Sequence, residues 1–114
     1  MRIRLLNGHR LMIISICSYF VLAGTASAQD LEAGKALIKA KTCHKCHGLS
    51  GNTGSETEPP VPKLAGQPKA YLIKAMKAYR SGARQSEIMN TLMAPRSDAD
   101  IELMAAYFSA QKRY

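Results

Sequence analysis

A chain of 114 residues with 16 Lys and Arg against 8 Asp and Glu, three Cys and no Trp has room for one small domain and not for two. That excludes a multi-domain enzyme. It also sets a requirement, because exported domains of this size usually need disulfides, a metal or a cofactor to stay folded.

Residues 1–28 have the make-up of a secretory leader. Arg2, Arg4 and Arg10 form a basic start, Leu11 to Gly24 an apolar stretch, and Ala26-Ser27-Ala28 a small-residue cleavage site. The apolar stretch is shorter than the roughly 20 residues of a spanning helix, so the segment reads as cleaved rather than as a membrane anchor. Cys17 leaves with it. The domain proper is then residues 29–114, with 13 basic and 8 acidic side chains, an excess too small and scattered for nucleic acid.

Within that domain Asp30 can cap a helix from Leu31 to about Lys41, with Glu32 at its positive end and Lys39 and Lys41 at its negative end. The run Cys43-His44-Lys45-Cys46-His47 follows at once. Residues 48–66 carry Gly51, Gly54, Pro59, Pro60, Pro62 and Gly66, which predicts an irregular loop. A second helix opens at Gln67-Pro68 and ends at Ser81-Gly82; Leu72, Ala75, Met76 and Tyr79 form its buried stripe. A short segment from Glu87 to Pro95 holds Met89 and Met93. The hydroxyl and carboxylates of Ser97-Asp98-Ala99-Asp100 can cap a last helix, Asp98 to Gln111, in which Met104 shares a stripe with Ile101, Ala105 and Phe108. No strand-like alternation occurs, so the expected class is all-α: three main helices plus short ones and loops.

The chemistry concentrates in five residues. C-x-x-C-H is the attachment signal for c-type haem: two thiols one helical turn apart can add to the two vinyl groups on one edge of the macrocycle, and the next imidazole faces the iron. Cys43 and Cys46 are assigned to thioethers and His47 to the metal. Three rival readings are weaker. A disulfide oxidoreductase needs a βαβ setting that this chain does not offer. A zinc site needs a second ligand pair, and no Cys or His follows His47. A Cys43–Cys46 disulfide closes too small a loop to stabilise much and leaves His47 unexplained.

The other side of the iron decides between electron transfer and ligand chemistry. His9 leaves with the leader, and His44 is tethered on the His47 side. Met, Lys or an empty site open to small molecules remain; among the methionines Met76 and Met104 read as core, which leaves Met89 and Met93 as candidates that the residues alone do not separate. No nucleophile with its base is evident, and Glu56 and Glu58 read as solvated loop residues, so the chain is not expected to be an enzyme.

The order of leader, short helix, Cys46-His47-Gly48, Gly51-Asn52, Pro62-Lys63-Leu64-Ala65-Gly66-Gln67, Tyr71-Leu72, Ser81-Gly82 and Ser97-Asp98-Ala99-Asp100-Ile101 running into Ala105-Ala106-Tyr107-Phe108 resembles a class I c-type cytochrome of the small bacterial periplasmic type. The resemblance spans nearly all of residues 30–112. It implies a class I fold wrapped round one covalent haem c and a periplasmic location. It also implies Met89, eight residues before Ser97, as the second iron ligand, a Pro62 carbonyl that accepts the ring N–H of His47, and a Gly34 that lets the first helix approach Tyr107 or Phe108. Two departures stand out: Met93 where Ala is commoner, and Pro95-Arg96 in place of a Gly-Leu type pair. The stretch from Ile88-Met89 to Phe108 is also similar to the haem subunit of flavocytochrome c sulfide dehydrogenase, which docks on a flavoprotein. The implied role is one-electron transfer between redox proteins, a flavoprotein subunit or a terminal oxidase among them. Lys39, Lys41, Lys45, Lys69, Lys74, Lys77, Arg80 and Arg84 would form either an acidic-partner docking surface or an ordinary solvated face.

Overall fold

The structure is a computed structural model that describes residues 25–55 and 60–114. The leader read over residues 1–28 therefore lies almost wholly outside the described residues, as do Glu56 and Glu58.

Among the described residues five helices carry the fold: α1 (Ala28–Ala40), α2 (His44–His47), α3 (Lys69–Ser81), α4 (Glu87–Met93) and α5 (Asp98–Ala110). The β-type pairing found among the described residues is one isolated bridge, Ser55 with Val61, which pinches the loop between α2 and α3. The all-α expectation holds.

Helix α1 begins earlier than expected. Ser27 Oγ accepts the Asp30 N–H at 3.1 Å, and the Asp30 carboxylate accepts the Ser27 N–H at 3.2 Å, a reciprocal capping box. Asp30 is thus the third residue of the helix rather than its cap. Ser27 lies on the leader side of the cleavage boundary read from the sequence, so this cap belongs to the uncleaved chain. At α5 the reverse happens. Ser97 Oγ accepts the Asp100 N–H at 3.0 Å, but the Asp100 carboxylate faces Arg96 at 3.9 Å, so the expected box is half made. Helix α3 ends as expected: Gly82 takes a left-handed φ of 79° and its N–H returns to the Tyr79 carbonyl.

Helix α5 is the centre of the molecule. Ile101, Met104, Ala105, Tyr107 and Phe108 are buried along it and pack with Ile38 of α1, Leu72 and Met76 of α3 and Met93 of α4. The close crossing of α1 over α5 depends on Gly34. A Cβ there would clash with the Leu103 carbonyl oxygen and lie 2.9 Å from Tyr107 Cβ, so any side chain pushes the helices apart. Of the two residues expected opposite Gly34, Tyr107 is the one in place. Phe108 instead covers Gly51, where a Cβ would lie 2.6 Å from its ring. That contact draws the loop after α2 onto α5 and closes one side of a cleft.

Candidate functional site

The two thiols and the imidazole are presented by a single turn. Thr42 breaks α1 with a φ of 63°, and its carbonyl accepts the Lys45 N–H at 3.0 Å. His47 N–H bonds to the Cys43 carbonyl at 3.1 Å, and Gly48, at φ 75°, turns the chain away. The result places Cys43, Cys46 and His47 on one wall of a cleft lined mostly by apolar side chains. Cys43 and Cys46 are not joined to each other in a disulfide. Burial pushes the Cys43 thiol up, opposed by a backbone hydrogen bond and by the charge of Arg96.

His47 is buried, 6% exposed, and its Nδ1 lies 2.8 Å from the Pro62 carbonyl oxygen. Because a carbonyl only accepts, Nδ1 carries the proton, and the lone pair is on Nε2, the nitrogen left for a metal. Burial pulls the His47 pKa down and the Pro62 bond pushes it back up, so the neutral ligating form is favoured. The Pro62 partnership implied by the resemblance is present. His44 does not line the cleft; its Nδ1 is 3.3 Å from the Ile38 carbonyl.

Among the described residues four methionines reach the cleft: Met76, Met89, Met93 and Met104. Met76 and Met104 are 6% and 2% exposed and belong to the core, as their stripes predict. Met89 and Met93 lie one turn apart on α4. Met93 is sunk into the core at 3% exposure, whereas Met89 is half-buried and packs against that core from the cleft side. Two thiols, an imidazole with one free nitrogen, thioether sulfurs and apolar walls from Leu64, Leu92 and Phe108 are the donor set and surroundings that haem c requires.

Helix α4 is held in place by polar groups. Ser86 Oγ accepts the Met89 N–H at 3.3 Å. Asn90 Nδ2 donates to the carbonyls of Tyr79 at 2.7 Å and Arg84 at 2.8 Å, and Asn90 Oδ1 accepts the Ser86 N–H at 2.8 Å. Sequence reasoning passed over Asn90, and it passed over Ile88 and Leu92, whose places beside Met89 and Met93 complete an apolar stripe readable at helical spacing. Of the basic residues expected on one face, Lys69 pairs with Glu102, Lys77 and Arg80 pair with Asp98, and Arg84 stacks on Tyr79. Lys39, Lys41, Lys45 and Lys74 are exposed.

Fold and donor set together define a class. Residues 31–112 match the family model for cytochrome c, and the chain belongs to the cytochrome c family, whose members transfer electrons through haem c bound covalently by cysteines such as Cys43 and Cys46. Among its relatives, cytochrome c4 of Pseudomonas aeruginosa is 40% identical over 102 residues, covering 89% of this chain and 48% of that protein. Cytochrome c-554(548) of Halomonas halodenitrificans is 39% identical over 88 residues, covering 75% of this chain and 100% of the relative. The cytochrome subunit of sulfide dehydrogenase of Chlorobaculum tepidum is 26% identical over 86 residues, 75% of this chain and 74% of that subunit. The crystal structure of reduced recombinant cytochrome c4 from Pseudomonas stutzeri superposes with a TM-score of 0.65 at 36% identity, over 74% of this chain and 46% of that one. The chain spans about half the length of the cytochrome c4 relatives it matches.

Proposed function

We propose that the chain is an exported periplasmic one-electron carrier in which His47 and Met89 ligate the iron of a haem c fixed by Cys43 and Cys46, and Pro62 orients His47. The observation that carries the reading is the single cleft that gathers both thiols, the Nδ1-protonated His47 and the Met89 thioether. Bound haem c supplies a one-electron couple between ferric and ferrous iron, and a thioether ligand favours the reduced form. The chain's own part is to hold geometry. Pro62 fixes the ring and tautomer of His47, Ser86 and Asn90 fix α4, and the apolar wall excludes water. Residues 1–28 supply export by the sequence reading.

Met89→Ala and Met93→Ala holoproteins test the ligand assignment. Met89→Ala is expected to abolish the weak sulfur-to-iron band at the red end of the ferric spectrum and to lower the potential, while Met93→Ala keeps the band. The opposite pattern contradicts the assignment, and rapid carbon monoxide binding by the unaltered ferrous protein would indicate an open site.

A second reading, the electron-accepting subunit of a flavin-containing sulfide dehydrogenase, is favoured by the likeness to the Chlorobaculum subunit. Gentle purification of the native protein separates the two. A lone red protein supports the free carrier, and co-elution with a flavin-bearing chain supports the subunit.

A further inference from the structure

Arg96 is the charged residue whose place in the fold is least accounted for. It stands between α4 and α5, and it lines the same cleft as Cys43, Cys46, His47 and Met89. Its side chain is 12% exposed, and its Nε is buried without a hydrogen-bond partner among the described residues. The backbone holds it there: the Arg96 N–H bonds to the Met93 carbonyl at 3.0 Å, and its own carbonyl accepts from Arg80 Nη1 at 2.9 Å. Its countercharge is partial. The nearest Asp100 oxygen is 3.9 Å from Arg96 Nη1, too far for a hydrogen bond, and the Asp100 side chain is 29% exposed to water. A buried N–H left unpaired is costly, so its retention asks for a role other than packing.

We propose that Arg96 is a potential-setting residue, whose fixed positive charge in the cleft wall favours the reduced form of the bound haem. The inference rests on haem c lying in this cleft and not on which methionine ligates it. One electron arrives from a protein redox partner, ferric iron becomes ferrous, and the net charge of the haem falls by one. No proton moves at Arg96, because a guanidinium stays protonated throughout. A nearby cation opposes the more positive, oxidised form, and burial shields that effect from salt.

The sign of the effect separates it from a role in packing. Replacing Arg96 by leucine removes a cation, which lowers the potential, but it also makes the wall more apolar, which taken alone disfavours the oxidised charge and raises it. The test is spectroscopic redox titration of the holoprotein against a soluble one-electron mediator at low and high salt. R96L is expected to shift the equilibrium constant about fivefold toward the oxidised form in both, a tenfold shift being 59 mV for one electron. R96K is expected to keep most of the native value. D100N, which strips away the countercharge, is expected to shift toward the reduced form. An unchanged R96L, an R96L shifted toward the reduced form, or a D100N that moves the same way as R96L overturns the proposal. Should R96L fail to take up haem, R96Q and D100N carry the same opposed signs.

Discussion

Thr42 is a β-branched residue in a left-handed conformation, at φ 63°, immediately before the first thiol. Such a backbone costs an L-residue about 1–2 kcal/mol, and Asn tolerates it better than Thr. Thr42→Asn is therefore expected to raise the unfolding free energy by about 0.5–1 kcal/mol in a urea titration, with the haem spectrum unchanged; a loss of stability would mean that the Thr42 side chain contributes more than its strain takes away. At this scale the sequence was most legible where chemistry is local. Cys43, Cys46 and His47 announce themselves because porphyrin dimensions dictate their spacing, whereas Arg96 stood out in the sequence only as half of the Pro95-Arg96 departure, with nothing to show that the fold buries it. The burial of a side chain is set by residues far along the chain, and no local pattern carries it.

Helices α3, α4 and α5 are joined by a few side chains, and each junction has a distinct consequence. Asn90→Ala leaves the Arg84 carbonyl without its side-chain donor, the Tyr79 carbonyl with only the Gly82 N–H, and the Ser86 N–H without its acceptor, a loss expected to cost about 1–3 kcal/mol in a denaturant titration. On the ligand reading above, it also weakens the sulfur-to-iron band; an Asn90→Ala protein with native stability would show that these bonds are exchanged for water at no cost. Gly34→Ala, forced against Leu103 and Tyr107, is expected to lose about 1–3 kcal/mol by the same titration. Asp98 ties α3 to the start of α5 through Arg80 at 2.6 Å and Lys77 at 3.7 Å. The side-chain hydrogen bond from Arg80, then the charge of Lys77, holds its carboxyl below the ordinary value of 3.8. A folded pKa below the unfolded one contributes stability that is present above 3.8 and is lost as pH falls through the folded value. Asp98→Asn should accordingly show a shallower loss of melting temperature between neutral pH and pH 3 than the native chain, and equal slopes would remove Asp98 from the acid response. Helix existence and the Gly82 stop were readable from propensity and periodicity. The α1 start was not, because Ser27 and Asp30 act as a pair across a boundary drawn by the cleavage motif.

On the scale of the whole molecule, a short chain arranges its helices round one mostly apolar cleft. Helix α5 supplies the floor, α2 with Leu64 one wall and α4 the other, so cofactor attachment and folding serve the same end. The basic surface divides in two. Lys69, Lys77, Arg80 and Arg84 are engaged by Glu102, Asp98 and Tyr79, while Lys39, Lys41 and Lys45 stand exposed around the attachment turn. That division was hidden in the sequence, where all of them read alike, because ion pairing between helices depends on how the helices cross. If the exposed three steer an acidic redox partner, the second-order rate of electron transfer falls with ionic strength, and reversing Lys41 and Lys45 to Glu flattens that dependence. A rate indifferent to salt would assign them to ordinary solvation.

The intact mass of the exported product, made in cells with the cytochrome maturation machinery and measured after denaturation, examines attachment and processing together. The expected value is that of residues 29–114 plus one haem that denaturant does not strip away. A colourless product with the mass of bare polypeptide would contradict the reading at its root.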